Sequence, residues 1–208
     1  MIDTQIMFGI PLGTCTVPQV ICDQMKLLPS MTQHETTNYA AHPDMYNVLK
    51  DHSQLRRDLT SVFSTWINNL QGNDTTWAMT TNWITENSTG SSMGMHNHIN
   101  SMYSAVVYFG KYDDNHPQLI LYNPYHMNTQ RTMHVPSPAV NPFNNDAYVA
   151  PIGEGTMIMF PSFIFHEHES FESTSPRKSF ACNFFPKGVI GMGDSTLDTN
   201  WLQYDDKQ

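Results

Sequence analysis

The sequence is poor in charged residues and in long apolar runs. Charged side chains make up 14% of the 208 residues, and 10 basic residues stand against 19 acidic ones, which gives a net charge of −9. This balance excludes the broad basic surface that sequence-independent binding to nucleic-acid phosphates requires. No apolar run reaches the roughly 18 residues of a membrane-spanning helix. Residues 1–9 also lack the basic start and apolar stretch of a secretory signal, so we expect no membrane partner.

Cysteine is scarce as well. Cys15, Cys22 and Cys182 form no CxxC pair and are odd in number, so they cannot build a complete disulfide framework. We expect three small buried apolar side chains in a reducing compartment such as the cytoplasm. The 39% hydrophobic and 12% aromatic content nevertheless suffices for one globular domain with a substantial core.

One segment has a strong helical pattern. Apolar residues recur there at three- and four-residue spacing, at Leu55, Leu59, Val62, Phe63, Trp66, Ile67 and Leu70. Asp44 and Ser53 are both plausible first-turn residues, and Gly72 is a typical end. We expect one amphipathic helix within residues 44–71 that packs its apolar face on a sheet.

From residue 75 onward, short strand-like segments alternate with turn residues. We predict strands at 76–85, 103–109, 118–122, 147–152, 156–160, 163–167 and 177–185, with weaker candidates at 5–10 and 132–135. The absence of strand–helix alternation argues against a parallel α/β sheet, so the fold class is mainly β with a flanking helix, a barrel or double-sheet jelly roll. We expect a single domain over 1–208, with an N-terminal arm and support helix (1–75), a β core (76–186) and a tail (187–208). The proline- and asparagine-rich residues 124–146 form a candidate substrate lid.

Two histidines lie one residue apart just before the 103–109 strand. If this stretch is extended, His96 and His98 project from the same face and can bind one metal ion. His166, at the end of a later strand, is the candidate third ligand. Imidazole suits iron, zinc, copper or nickel, and three protein ligands leave positions open for substrate or dioxygen. Ten histidines in 208 residues can also produce such a pair by chance, and His166 and His168 form a second one.

Arg177 and Ser179 follow the third histidine on the last predicted strand. A guanidinium presents a planar fork that matches a carboxylate, and a serine two residues further on faces the same way and can donate its hydroxyl. If the segments around His166 and Arg177 are neighbouring antiparallel strands, Arg177 faces the pocket interior. Pro176 leaves open the alternative of a surface arginine beside a turn.

Taken together, these motifs resemble the Fe(II)/2-oxoglutarate-dependent oxygenases, in particular a subfamily common in bacterial and phage genomes. The resemblance covers about residues 76–186. The matching segments are His96-x-His98, the strand from Ser101 to Tyr108, Phe160-Pro161-Ser162 with His166, and Arg177-x-Ser179 through Asn183. The resemblance implies a double-stranded β-helix, which is a cupin-like jelly roll.

The resemblance also implies a catalytic Fe(II) ion, with 2-oxoglutarate and dioxygen as co-substrates. The metal ligands and catalytic residues would be His96, His98 and His166. Arg177 and Ser179 would hold the far carboxylate of 2-oxoglutarate, with Tyr108 and Asn183 as further co-substrate contacts. The implied reaction hydroxylates a peptide side chain or a small molecule and releases succinate and CO2. A phage-encoded chain would act in the host cytoplasm.

The sequence departs from the family pattern at one ligand. The usual motif is His-x-Asp, and His98 occupies the aspartate position, so a three-histidine site would carry one more net positive charge. Asn100 and Asp113 are weaker candidates to complete the ligand set. Two other functions stay open: a three-histidine cupin-type dioxygenase without 2-oxoglutarate, and a non-enzymatic phage jelly-roll structural or binding protein.

Overall fold

Residues 9–32, 43–125 and 144–202 are described by the computed structural model of the protein. Two α-helices lie wholly within these ranges, α1 (Gln19–Met25) and α2 (Ser53–Gln71), with 3-10 turns at Pro43–Tyr46 and Gly193–Ser195. The strands are β1 (Gly13–Thr16), β2 (Met31–Thr32), β3 (Thr76–Asn87), β4 (Met93–His96), β5 (Tyr103–Tyr108), β6 (Leu119–Tyr122), β7 (Ala147–Ala150), β8 (Thr156–Pro161), β9 (His166–His168), β10 (Arg177–Lys187), β11 (Val189–Ile190) and β12 (Leu197–Asp198).

The strands form two main sheets. The larger has six strands in the order β1-β8-β5-β10-β3-β2, and the smaller has four in the order β4-β9-β6-β7. All pairings in them are antiparallel except that of β2 with β3. Because β8 and β9 follow each other in the chain but lie in different sheets, the short turn between them connects the two layers. β11 and β12 form a separate two-stranded ribbon.

Helix α2 covers the outer face of the six-stranded sheet. It begins at Ser53, because residues 43–46 form the separate 3-10 turn, and it ends at Gly72, whose φ of 66° is the left-handed conformation that glycine adopts without strain. Its apolar stripe is buried in the core, through Leu55, Leu59, Phe63 and Ile67. The predicted helix is therefore confirmed, with the later of its two candidate starts.

Period-two alternation gives the six-stranded sheet two different faces. The face towards α2 is apolar and carries Tyr103, Ala105, Val107, Phe180, Cys182 and Phe184. The face towards the four-stranded sheet carries a second, smaller apolar cluster that includes Val106, Tyr108, Ile158 and Phe160. On that inner face β10 places Arg177 and Ser179, so the polar site lies between the two sheets.

Phe63 is the side chain that joins α2 to the sheet most closely. Its ring stacks on Phe184 with centroids 3.9 Å apart and meets Trp77 edge-on at 5.2 Å. We expect Phe63→Ala to lower the free energy of unfolding by about 3–5 kcal/mol, because it removes a fully buried ring and leaves a cavity. Urea denaturation measures this change. Leu70→Ala, on the exposed side of the same helix, should shift stability by less than about 0.5 kcal/mol.

Several local predictions need correction. The candidate strand at 5–10 lies partly outside the described residues, and Gly9 and Ile10 are not in a strand; the first strand begins at Gly13. Helix α1 and the β11–β12 ribbon have no counterpart in the sequence-based expectations. The candidate strand at 132–135 and residues 126–143 of the candidate lid lie outside the described residues.

The three cysteines are free; Cys22 and Cys182 are fully buried, as expected, whereas Cys15 is only partly buried. Desolvation raises the pKa of all three thiols, so they stay protonated and unreactive at neutral pH. Across the described ranges, no helix combines the length and the apolar character needed to cross a membrane.

Candidate active site

The histidine pair lies where a strand ends rather than inside one. His96 is the last residue of β4 and pairs with His166 of β9. His98 lies in the following loop, where its backbone N–H donates to the carbonyl oxygen of Ser162 at 3.0 Å. The expectation of a fully extended pair thus holds only as far as His96, and a tertiary hydrogen bond positions His98.

These three histidines converge. Their ligand nitrogens all lie within 4.8 Å of one another. The ring centroids are 4.3 Å apart for His96 and His166, 5.1 Å for His98 and His166, and 5.3 Å for His96 and His98. In the described part of the chain, this is the one cluster of histidine, cysteine or acidic side chains close enough to share a metal ion.

Backbone carbonyls set the tautomers of two of these rings. Nδ1 of His96 lies 2.8 Å from the carbonyl oxygen of Gly94, and Nδ1 of His166 lies 3.0 Å from that of Ile164. A carbonyl oxygen only accepts, so each Nδ1 carries the proton and donates it. The Nε2 atom of each ring is left with a free lone pair, as a metal ligand requires.

Burial keeps two of the three imidazoles, those of His98 and His166, neutral in the absence of metal. Desolvation, with a smaller contribution from His96, lowers the pKa of His98 to about 4. Desolvation and the neighbouring histidines lower the pKa of His166 to about 3. Both rings are neutral at physiological pH, so no proton has to leave before a metal ion binds.

The donor set fits a divalent transition metal. Three neutral imidazoles suit Fe(II), and also zinc, copper or nickel, while leaving the rest of the coordination sphere open. No described carboxylate joins the cluster. Asp113 lies instead against His116 and Ser173, and Asn100 is an exposed turn residue with a φ of 55°. His98 is therefore the better candidate for the third ligand.

The His98→Asp variant tests this ligand directly. We expect it to bind Fe(II) about tenfold more tightly or better, because an aspartate adds a negative charge next to the cation. Anaerobic competition against a chelator measures the affinity. Unchanged or weaker binding would argue that the side chain at position 98 does not reach the metal.

Arg177 lies on the opposite sheet from the histidines. The expectation that the segments around His166 and Arg177 are neighbouring strands is wrong, because β9 belongs to the four-stranded sheet and β10 to the six-stranded one. Arg177 nevertheless faces the pocket, since both strands line the slot between the sheets. The alternative of a surface arginine is also wrong, because the residue is only 4% exposed.

The Arg177 guanidinium has no acidic partner among residues 9–32, 43–125 and 144–202. Among the described residues it contacts Tyr108, whose hydroxyl accepts from Nη2 at 3.2 Å and whose ring centroid lies 5.0 Å from Cζ. Its Nε is buried without any hydrogen-bond partner. A buried, unpaired cation is costly unless an anion compensates it. The slot thus fits a ligand carboxylate, and Ser179 lines it beside Arg177.

Asn183 lies away from this slot. Its side-chain oxygen accepts from Ser104 at 2.7 Å, and its amide donates to Thr81 at 2.9 Å. Ser104 in turn contacts Ser162, the residue whose carbonyl holds His98. Asn183 therefore supports the loop that carries His98, and its expected contact with the co-substrate stays a prediction.

Asn87 and His168 also line the slot, although they were not among the predicted site residues. Desolvation, and to a smaller extent the charge of Arg177, lowers the pKa of His168 to about 3. The available signal was the second histidine pair, because His168 follows His166 by two residues on the same strand. No sequence pattern marks Asn87.

Two facing antiparallel sheets with a candidate metal cluster between them are the architecture of the double-stranded β-helix, the fold of the Fe(II)/2-oxoglutarate oxygenases. Residues 81–183, which are just under half of the chain, match the family described as "Putative 2OG-Fe(II) oxygenase". The family recognised from the sequence motifs and the predicted fold class are both confirmed. The family implies Fe(II) and 2-oxoglutarate. No curated protein gives a significant sequence match.

Solved structures agree on the fold. The chain is similar to iron-bound HygX from Streptomyces hygroscopicus, with a TM-score of 0.53 and 9% identity over 85% of this chain and 83% of that one. It is also similar to the carbocyclase SnoK from nogalamycin biosynthesis, with a TM-score of 0.50 and 11% identity over 85% and 77%. A 2OG-Fe(II) oxygenase family oxidoreductase from Burkholderia pseudomallei aligns with a TM-score of 0.43 and 15% identity over 58% of this chain and 50% of that one. The chain thus spans only half the length of that protein.

Proposed function

We propose that this protein is an Fe(II)- and 2-oxoglutarate-dependent dioxygenase that hydroxylates a small molecule or a peptide side chain. The balanced reaction joins substrate C–H, 2-oxoglutarate and O2 to give the alcohol, succinate and CO2. The observation that carries the proposal is one slot holding both three convergent imidazoles and a buried guanidinium without a counter-charge.

Each residue then has a defined task. His96, His98 and His166 would hold the metal, and backbone carbonyls orient the rings of His96 and His166 for this task. Arg177 would bind the far carboxylate of 2-oxoglutarate, with Ser179 as a second donor and Tyr108 holding the guanidinium in place. The bound Fe(II), with 2-oxoglutarate and dioxygen, supplies the oxidising power for breaking an unactivated C–H bond.

An open cleft beside His98 offers a place for the substrate. It has a volume of about 500 Å³, and His98 lines both this cleft and the slot that holds the three histidines. Its described lining contains no acidic or basic side chain apart from that histidine; it includes Asn97, Ile99, Met102, Tyr125 and Phe163. This composition supports an uncharged substrate group, and the protein's negative net charge makes a nucleic acid a poor candidate.

Anaerobic titration tests the proposal. Adding 2-oxoglutarate to the Fe(II)-loaded protein should produce a weak visible charge-transfer band, and admitting oxygen with a substrate should release succinate. Tight metal binding without such a band would favour a three-histidine dioxygenase that does not use 2-oxoglutarate. Failure to bind metal, together with no effect of His166→Ala, would favour a structural or binding protein.

A further inference from the structure

A hydrogen bond joins the two sheets at one end of the slot. The amide nitrogen Nδ2 of Asn87, on β3, donates to Nε2 of His168, on β9, at 2.9 Å. The direction follows from the other ring nitrogen, because Nδ1 of His168 lies 3.0 Å from the carbonyl oxygen of Glu169 and must donate to it. Asn87 and His168 are 1% and 3% exposed, so the bond is shielded from water.

Strand register places this bond at the end of the slot away from the metal ligands. The ring centroids of Trp83, on β3, and His98 are 5.5 Å apart, so Trp83 lies at the end of the slot that holds the three histidines. Four residues further along the same strand, Asn87 lies directly opposite Arg177 of β10. On the facing sheet, His168 follows the metal ligand His166 by two residues, a step of about 7 Å along a strand.

The same end holds two unsatisfied polar atoms. Nε of Arg177 and Oδ1 of Asn87 are both buried and have no hydrogen-bond partner among the described residues. Buried polar atoms without partners are rare and indicate that a ligand or an ordered water completes them. The Nε–H group of Arg177 can donate to a diacid carboxylate, whereas Oδ1 of Asn87 only accepts and needs a donor such as an ordered water. A carboxylate bound by Arg177 would therefore lie next to Asn87, which is paired with Arg177 across the two strands.

We propose that Asn87 and His168 form an end wall that limits the length of the 2-oxo diacid the slot accepts. This inference rests on the proposed function and goes beyond it, because it assigns co-substrate specificity to two residues. His168 is held on both sides, by Asn87 and by the carbonyl of Glu169, so the wall cannot retreat without breaking hydrogen bonds. Such a wall would exclude a diacid that is longer than 2-oxoglutarate by one methylene.

The experiment compares the binding of two diacids. Calorimetry on the Ni(II)-loaded protein would give dissociation constants for 2-oxoglutarate and for 2-oxoadipate, which is longer by one methylene. We expect the native protein to prefer 2-oxoglutarate by about tenfold or more, the discrimination that one methylene typically allows. Asn87→Ala and His168→Ala should each reduce or reverse this preference by making room at the wall.

Two further variants test whether a changed preference is specific to the Asn87–His168 hydrogen bond. His168→Gln keeps an oxygen that can accept the Asn87 amide proton, and it should retain most of the native preference. Asn73→Ala removes an exposed amide beyond α2 and should leave both dissociation constants unchanged. Thermal melting of each variant shows whether it is folded.

The outcomes separate the two proposals. If the native protein binds 2-oxoglutarate but folded Asn87→Ala and His168→Ala variants keep the native ratio, or lose both diacids equally, the wall is refuted and the proposed function stands. If the native protein binds neither diacid, the proposed function is refuted and the wall with it. A changed ratio in both alanine variants, with the native ratio in His168→Gln, supports the wall.

Discussion

Replacing Arg177 with methionine should abolish 2-oxoglutarate binding while leaving the fold and the metal affinity intact. The guanidinium is the one buried cation that the described residues place in the slot, and no described carboxylate neutralises it. Removing one partner of a buried charge pair typically costs about 2–5 kcal/mol of binding free energy. The dissociation constant for 2-oxoglutarate should therefore rise roughly a hundredfold or more.

The free energy of unfolding of the ligand-free protein should not fall with Arg177→Met, although co-substrate binding is lost. In the ligand-free protein the buried guanidinium carries a desolvation cost that its contacts with Tyr108 offset only in part, because no described carboxylate pairs with it. Exchanging it for an apolar side chain of similar length should leave the free energy of unfolding unchanged or raise it by about 1–4 kcal/mol. Chemical denaturation without ligand measures this effect, and calorimetry with Ni(II) and 2-oxoglutarate measures the loss of binding.

Arg57→Met provides the matched control, because Arg57 is exposed on α2 and bonds only to Gln54 among the described residues. It should alter neither co-substrate binding nor stability by more than about 0.5 kcal/mol. Normal 2-oxoglutarate affinity in Arg177→Met would show that the co-substrate carboxylate binds elsewhere. A loss of metal binding in Arg177→Met would show that Arg177 is needed for the metal site as well as for the co-substrate.

Replacing His166 with alanine should remove metal binding. His166 is the most buried of the three converging histidines, and its Nδ1–H is tied to the carbonyl of Ile164. Loss of an outer-shell partner alone costs roughly 10–100-fold in metal affinity, so loss of a ligand should exceed that range. Anaerobic calorimetry with Fe(II), or with Ni(II) as a redox-stable probe, measures the affinity.

His52→Ala is the control for this substitution, because His52 is exposed at the start of α2 and far in sequence from the slot. It should bind metal with native affinity. Retention of one tight equivalent of metal by a folded His166→Ala variant would contradict the three-histidine centre. Because 2-oxoglutarate needs the metal at its near end, the His166→Ala variant should also lose the visible band that the diacid produces.

Much of the fold could be predicted from local patterns. The stripe from Leu55 to Ile67 predicted α2. The two-residue spacing of Arg177 and Ser179 predicted that both side chains share one face of a strand, and both line one slot in the structure. Where a local signal was weak, prediction failed: α1 has only seven residues, and the β11–β12 ribbon has two residues in each strand.

Only some residues of the candidate site could be predicted from the sequence. His96, His98 and His166 could be named from their spacing, because a pair two residues apart and a histidine at a strand end are visible in the chain. Asn87 carries no such mark, since an asparagine at a strand end is common. Its importance depends on two neighbours, His168 and Arg177, which lie about 80 and 90 residues further along the chain and meet it only in the folded state.

The sequence by itself determined the family, the mainly β class and the residue types available for a metal and a diacid. Only the tertiary structure decided that the strands carrying His166 and Arg177 belong to opposite sheets, that Arg177 is buried without an anion, and that Asn87 bonds to His168. The physical reason is the range of the interactions. Periodicity and turn chemistry act over a few residues, whereas sheet membership and burial depend on packing between segments far apart in the chain.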